Sequence, residues 1–190
     1  MRQNTSIMVD IETMGTTPDC AIVSIGACAF DHEVVNSFDE ISDRFYTTVS
    51  IQSNEEAGRR IQASTVEWWL KQKPEAQKAL FEEPVRSLRA ALIEFRMWAQ
   101  SMKPAATFIW ANDPDFDVVI LKSAFENVGQ MWPFQYYNNR SVRTIKHLAW
   151  PNDDAPDFRS GTVHHKADDD AVVQAVMVQH AYNKIVLGGK

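Results

Sequence analysis

Asp10 and Glu12 stand two residues apart in a segment, Ile7 to Thr13, that alternates Ile7, Val9 and Ile11 with Met8, Asp10 and Glu12. Period two is strand periodicity, so both carboxylates leave the same face of one strand. Far along the chain, Asp117 falls in the first turns of an apolar helical segment and Asp170 near the start of another. Carboxylates gathered from such distant, burial-prone elements repel or neutralise one another unless cations sit among them. Hard divalent ions such as Mg²⁺ and Mn²⁺ prefer oxygen ligands, and two of them about 4 Å apart, bridged by a carboxylate, form the engine of phosphodiester cleavage.

The signals differ in weight. With fourteen Asp and eleven Glu, an Asp-x-Glu triplet arises by chance about 0.8 times and says little alone. Asp113 and Asp115 are better read as a helix cap and a dipole partner than as ligands. Asp168 and Asp169 beside Asp170 are also what a charged helix start looks like. His165 to Ala171 is different. It spells His-x-Ala-x-x-Asp-Ala, for which five His, fourteen Asp and twenty Ala give about 0.004 chance matches.

The elements that must position these groups read as follows. Ile7–Thr13, Ala21–Phe30 and Phe45–Ile51 form strands of an antiparallel meander, with a turn at residues 16–19. Ser64 caps a helix with Glu67 completing a capping box, running through Trp68, Trp69 and Leu70 and stopping near Pro74. Ser87–Met102 carries apolar residues at helical spacing. Thr107–Ala111 is a short strand, and Asp113-Pro114 opens a helix over Asp115–Val128. Val142–Ala149 is a short helix, 151–163 a polar loop, and Ala167 to about Ile185 a closing helix apolar nearly all round, hence buried. Strands first, then helices alternating with at least one further strand, predict an α/β or α+β sandwich on a mixed sheet.

Composition sets the outer limits. At 190 residues with 45% hydrophobic and 23% charged side chains, one globular domain over 1–190 is expected. Nineteen Lys and Arg against twenty-five Asp and Glu leave a net charge of −6. A chain that grips nucleic acid mainly by a basic surface leans the other way, so phosphate must be held locally or through cations. Cys20 and Cys28 match neither a disulfide framework nor a zinc site. No signal peptide or membrane-length apolar run is visible, which points to a cytoplasmic chain with no membrane partner.

Taken with their order, these motifs resemble the DEDDh branch of the 3′–5′ exonucleases, which includes ribonuclease T, oligoribonuclease and the proofreading subunit of bacterial DNA polymerase III. Asp10-Ile11-Glu12-Thr13 is similar to the first motif of that family. Asn112 to Asp117, followed by Val118-Val119-Ile120-Leu121, is similar to the second, and His165 to Asp170 matches the third. The Thr65–Leu70 segment and the Trp110-Ala111-Asn112 lead-in look closest to the ribonuclease T-like phage and prophage exonucleases and a related mycobacterial exoribonuclease. Crowded acids depart from the pattern: Asp115 competes with Asp117, and Asp168 or Asp169 with Asp170.

The resemblance implies a ribonuclease H-like fold and release of 5′-mononucleotides from the 3′ end of single-stranded RNA or DNA, or of a 3′ overhang. It implies two divalent cations, Mg²⁺ or Mn²⁺, held by Asp10, Glu12, Asp117 and Asp170, with Asp10 bridging, and His165 as general base. It also allows a homodimer. For substrate contacts the candidates are Thr13, Trp68, Trp69, Asn112, Phe116, Arg159 and Lys166, with Trp110, Trp150 and Phe158 as further stacking surfaces. Trp110 reads better as core, one of Trp68 and Trp69 as buried, and the stripe Arg140, Arg143 and Lys146 as a solvated helix face. Two other classes compete. One is a catalytically silent nucleic-acid-binding module with structural cations. The other is a glycoside hydrolase working by paired carboxylates, which needs no His-x-Ala-x-x-Asp element.

Overall fold

The computed structural model describes residues 5–102, 108–159, 162, 164–186 and 188. Its strands are β1 (Thr5–Thr13), β2 (Ile22–Asp31), β3 (Arg44–Val49), β4 (Val85–Arg86), β5 (Phe108–Ala111) and β6 (Asn139–Ser141). Its α-helices are α1 (Ile51–Glu56), α2 (Ala63–Trp69), α3 (Pro74–Ala79), α4 (Leu88–Ser101), α5 (Asp117–Asn127), α6 (Val142–Ala149) and α7 (Ala167–Val186). The strands join in one sheet of order β4-β3-β2-β1-β5-β6. The meander β1-β2-β3 is antiparallel, as its patterning predicts, while β4, β5 and β6 pair in parallel with their neighbours.

Helices cover both faces, so β1 is buried on both sides and its two side-chain rows meet different partners. Ile7, Val9 and Ile11 pack with Leu88, Leu92 and Phe95 of α4 and with Leu121 and Phe125 of α5. Met8 packs with Ala171, Val172, Ala175 and Val176 of α7. Asp10 and Glu12 share the Met8 row, so the strand turns both carboxylates toward α7.

One glycine sets the distance between α7 and the sheet. Gly26 on β2 lies opposite Asp10 on β1. A Cβ there would sit 2.0 Å from the carbonyl carbon of Ala167 and 2.1 Å from the amide nitrogen of Asp168, both backbone atoms that cannot swing aside. Gly26→Ala is therefore expected to push the first turn of α7 off the sheet. The cost should match or exceed the roughly 1–3 kcal/mol of ordinary overpacking, read as a lower urea midpoint, and Asp170 and His165 should move with that turn. A midpoint equal to wild type would refute this close packing.

Some sequence expectations need correction. The third strand stops at Val49, because Ser50 caps α1 by accepting from Ser53 N–H. Ser64 is no cap: α2 starts at Ala63 after Gln62, and the capping box with Glu67 is not made. Gln62 N–H donates to Met14 and its side-chain oxygen accepts from Thr16 N–H, which fixes the helix start two residues earlier. Pro74 opens α3 as its first residue. Asp113 and Asp115 lie in a turn before α5; Asp113 offers its carbonyl, not a side-chain cap, to Phe116 and Asp117 N–H. Thr107 and residues 160, 161 and 163 of the polar loop fall outside the described residues.

Candidate active site

Three elements converge on a cavity of about 560 Å³ lined by Asp10, Glu12, Asn112, Phe116, Asp117, Arg143, Arg159, His164, His165, Asp170 and Gln174, among others. Strand β1 brings Asp10 and Glu12, the start of α5 brings Asp117, and the first turn of α7 brings Asp170. One oxygen from each of Asp10, Glu12 and Asp170 lies within 4.8 Å of the other two. Asp117 Oδ1 accepts from the Ile11 amide at 3.3 Å, which ties α5 to β1 between the two acids. The four carboxylates expected from the sequence are thus brought together.

Their electrostatics follow from crowding without solvent. Burial raises the Asp10 carboxyl well above the ordinary range, and the charges of Asp117 and Asp170 raise it further. Glu12 rises through burial and through Asp10, Asp170 and Asp117. Asp117 is pushed up to about 7, chiefly by burial, although the Ile11 amide favours its charged form. Side-chain donors offset part of this penalty. Gln174 Nε2 donates to Asp10 Oδ1 at 2.7 Å, and Arg159 Nη1 donates to Asp170 Oδ1 at 2.6 Å.

His165 is fixed from several sides. Its backbone φ of +65° is uncommon for a residue with a Cβ. Its N–H donates to Asp170 Oδ2 at 2.9 Å, and its Nδ1 lies 3.8 Å from Glu12 Oε1. The ring stands edge-on to Trp68, Trp69 and His164, with centroids 5.0, 5.9 and 3.9 Å away. Burial, then the neighbouring His164, lowers its pKa and keeps the imidazole neutral at neutral pH.

A second cavity of about 420 Å³ adjoins the first and shares Ile11, Glu12, Phe116 and His165; Thr13, Thr65, Trp68 and Trp69 add to its wall. Trp68 is 42% exposed, whereas Trp69 is buried and donates its indole N–H to the Thr13 carbonyl at 3.0 Å. The accessible stacking face of this pair is therefore Trp68. Asn112, Phe116 and Arg159 reach the acidic cavity. Lys166 does not line either cavity. It lies 3.4 Å from Asp168 and over the Tyr46 ring, because the chain turns it toward β3 just before α7.

Trp110 is core and donates to Ser6 Oγ. Trp150 and Phe158 pack on the α7 side. Of the basic stripe only Arg143 reaches the cavity, paired with Asp113 at 3.0 Å. Arg140 lies over Phe108, and Lys146 pairs with Asp153. Sequence reasoning missed His164 and Gln174 and left Arg143 in a solvated stripe; Gln174 was within reach, since it follows Asp170 by one helical turn.

With this geometry in view, the comparisons are informative. A family profile for the Rv2179c-like 3′–5′ exoribonuclease domain matches residues 5–182. The chain belongs to that family. An exodeoxyribonuclease of Enterobacteria phage T4 is 28% identical over 156 residues, covering 72% of this chain and 68% of the phage protein. This chain shares its fold with the nuclease domain of 3′hExo, a DEDDh family member bound to rAMP. That likeness has a TM-score of 0.62 at 9% identity and covers 97% of this chain and 94% of that one. Cell-death related nuclease 4 superposes with a TM-score of 0.63 at 12% identity over 96% of this chain. E. coli exonuclease I with single-stranded DNA gives 0.62 at 17% over 97%. This chain spans 64% of the nuclease 4 chain and 41% of the exonuclease I chain. The sheet is that of ribonuclease H-like nucleases, and this Rv2179c-like chain is a hydrolase of the 3′–5′ exonuclease class. Among the described residues no helix is long and apolar enough to cross a membrane.

Proposed function

We propose that residues 1–190 act as one exonuclease unit that removes 5′-mononucleotides from the 3′ end of single-stranded nucleic acid or a 3′ overhang. The observation that carries this reading is the meeting of Asp10, Glu12 and Asp170 oxygens within 4.8 Å beside Asp117 and His165. An all-oxygen set whose members resist ionisation for want of positive charge fits hard divalent cations. Asp10, Glu12 and Asp170 would hold one ion, and Asp10 with Asp117 another. When bound, Mg²⁺ or Mn²⁺ supplies the positive charge that acidifies a water and stabilises a departing 3′-oxygen.

The chain's own groups do the rest. His165, neutral near pH 7 and oriented by Asp170 and the Trp68 edge, takes the proton of the attacking water. Glu12, 3.8 Å from Nδ1, favours the imidazolium that forms. Trp68 and Phe116 flank the space for the terminal base, with Thr13 and Asn112 on its borders, while Arg143 and Arg159 are placed to meet phosphate.

A time course with 5′-end-labelled RNA and DNA of equal sequence tests this directly. A ladder shortening one nucleotide at a time from the 3′ end in Mn²⁺ or Mg²⁺, silent in EDTA, is expected. Comparing the two ladders reads the sugar preference. Internal cuts, or shortening that survives EDTA, would overturn the reading.

A further inference from the structure

We propose that Gln174 is a positioning residue of the metal site: its amide N–H fixes the rotamer of Asp10, and its amide oxygen accepts a hydrogen bond from a water coordinated to the bound cations. This inference rests on the exonuclease reading but concerns a residue outside the four acids and the histidine. Gln174 lies four residues after Asp170 on α7, so both side chains leave the same face of the helix. That face meets β1 where Gly26 lets α7 come close. Gln174 is 7% exposed and lines the acidic cavity.

Its orientation is fixed by chemistry. Ionised, as cation binding requires, Asp10 can only accept, so the group 2.7 Å from its Oδ1 is then the amide nitrogen. The other end, Oε1, is then buried without a hydrogen-bond partner among the described residues. A buried acceptor left unpaired costs about 1–3 kcal/mol. A carbonyl oxygen in a cavity walled by carboxylates is suited to a donor that arrives with the cations, namely their coordinated water. With Oδ1 engaged by Gln174, Asp10 keeps Oδ2 free for the ions. Partners of this outer-sphere kind change metal affinity or activity by about 10–100-fold.

The test is Mn²⁺ titration of the intact chain by calorimetry, without nucleic acid, for wild type, Q174M and Q174L. Methionine keeps the length of glutamine and suits a buried helix. Affinity is referred to the folded fraction, so a lower melting temperature does not mask the result. Mn²⁺ affinity about tenfold weaker or more is expected in both variants. On an oligonucleotide, kcat should fall at limiting Mn²⁺, recover in part at high Mn²⁺, and leave KM unchanged. Affinity within twofold of wild type, or an effect confined to KM, would overturn the assignment. A wild-type chain that binds Mn²⁺ but releases no nucleotide would instead remove the exonuclease reading and leave the affinity comparison standing.

Discussion

Asp10→Asn is expected to slow nucleotide release by about a thousandfold or more and, in the same protein without metal, to raise the melting temperature. Both halves follow from one cause. Cation stabilisation of a phosphoryl transition state supplies several kcal/mol, and each 1.36 kcal/mol is worth about tenfold in rate. Asp10 stands nearest the centre of the cluster, with charge from Asp117 and Asp170 pressing on it. The isosteric amide keeps an oxygen for the Gln174 bond and removes a buried like charge, so the metal-free fold gains what the reaction loses. His165→Ala should be milder, about a hundredfold, because a positioned base contributes roughly 10²–10⁴. A rate for Asp10→Asn near that of wild type would sink the proposed role. A lower melting temperature in EDTA would show that burial of the acids is not a strain on the fold.

Stability should fall as pH rises in EDTA, and divalent cations should reverse the fall. Asp117 has its pKa raised from the ordinary 3.8 to about 7. Between those values the native state keeps a proton that the unfolded chain has lost, so stability declines with pH. The three-unit shift amounts to roughly 4 kcal/mol for that group. Asp10 and Glu12, raised through burial and mutual repulsion, add to the decline. Buried histidines act the other way. Burial lowers the pKa of His32, His165 and His180, so their contribution grows as pH rises toward 6.5 and is flat above it. Exposed Asp19, Glu40 and Asp153 have lowered pKa values and act only at or below the ordinary carboxylate range. The unopposed window therefore opens at pH 6.5 and runs through the Asp117 titration near 7. Thermal melts there should fall in EDTA and rise on adding Mn²⁺, with a larger rise at pH 8 than at pH 6.5, because protons compete for the same oxygens. Flat melts insensitive to Mn²⁺ would contradict the cluster's electrostatics.

What could be read from residues alone depended on whether local pattern or tertiary pairing decided each element. The alternation in β1 gave the face of Asp10 and Glu12 because a strand buried on both sides still separates its two rows. The apolar circumference of α7 and its His-x-Ala-x-x-Asp start likewise located His165 and Asp170. By contrast, β6 (Asn139–Ser141) carries no strand pattern; it exists because β5 offers a parallel edge to pair with. Ser64 had cap chemistry, yet Gln62 holds the chain through Met14 and Thr16 and starts α2 two residues earlier than a Ser64 cap allows. Lys166 looked like a phosphate contact by its proximity to His165, but a turn with positive φ at His165 sends the two side chains apart. Arg143 reads in the sequence as one member of a solvated stripe because its value lies in Asn112 and Asp113 beside it, contacts across two elements that no spacing encodes.

The most direct measurement is anomalous diffraction from crystals of the wild-type chain grown with Mn²⁺. Strong peaks should appear between the carboxylates of Asp10, Glu12 and Asp170, and between Asp10 and Asp117. Manganese bound only at surface acids, with no ion among these four side chains, would contradict the metal-centred reading.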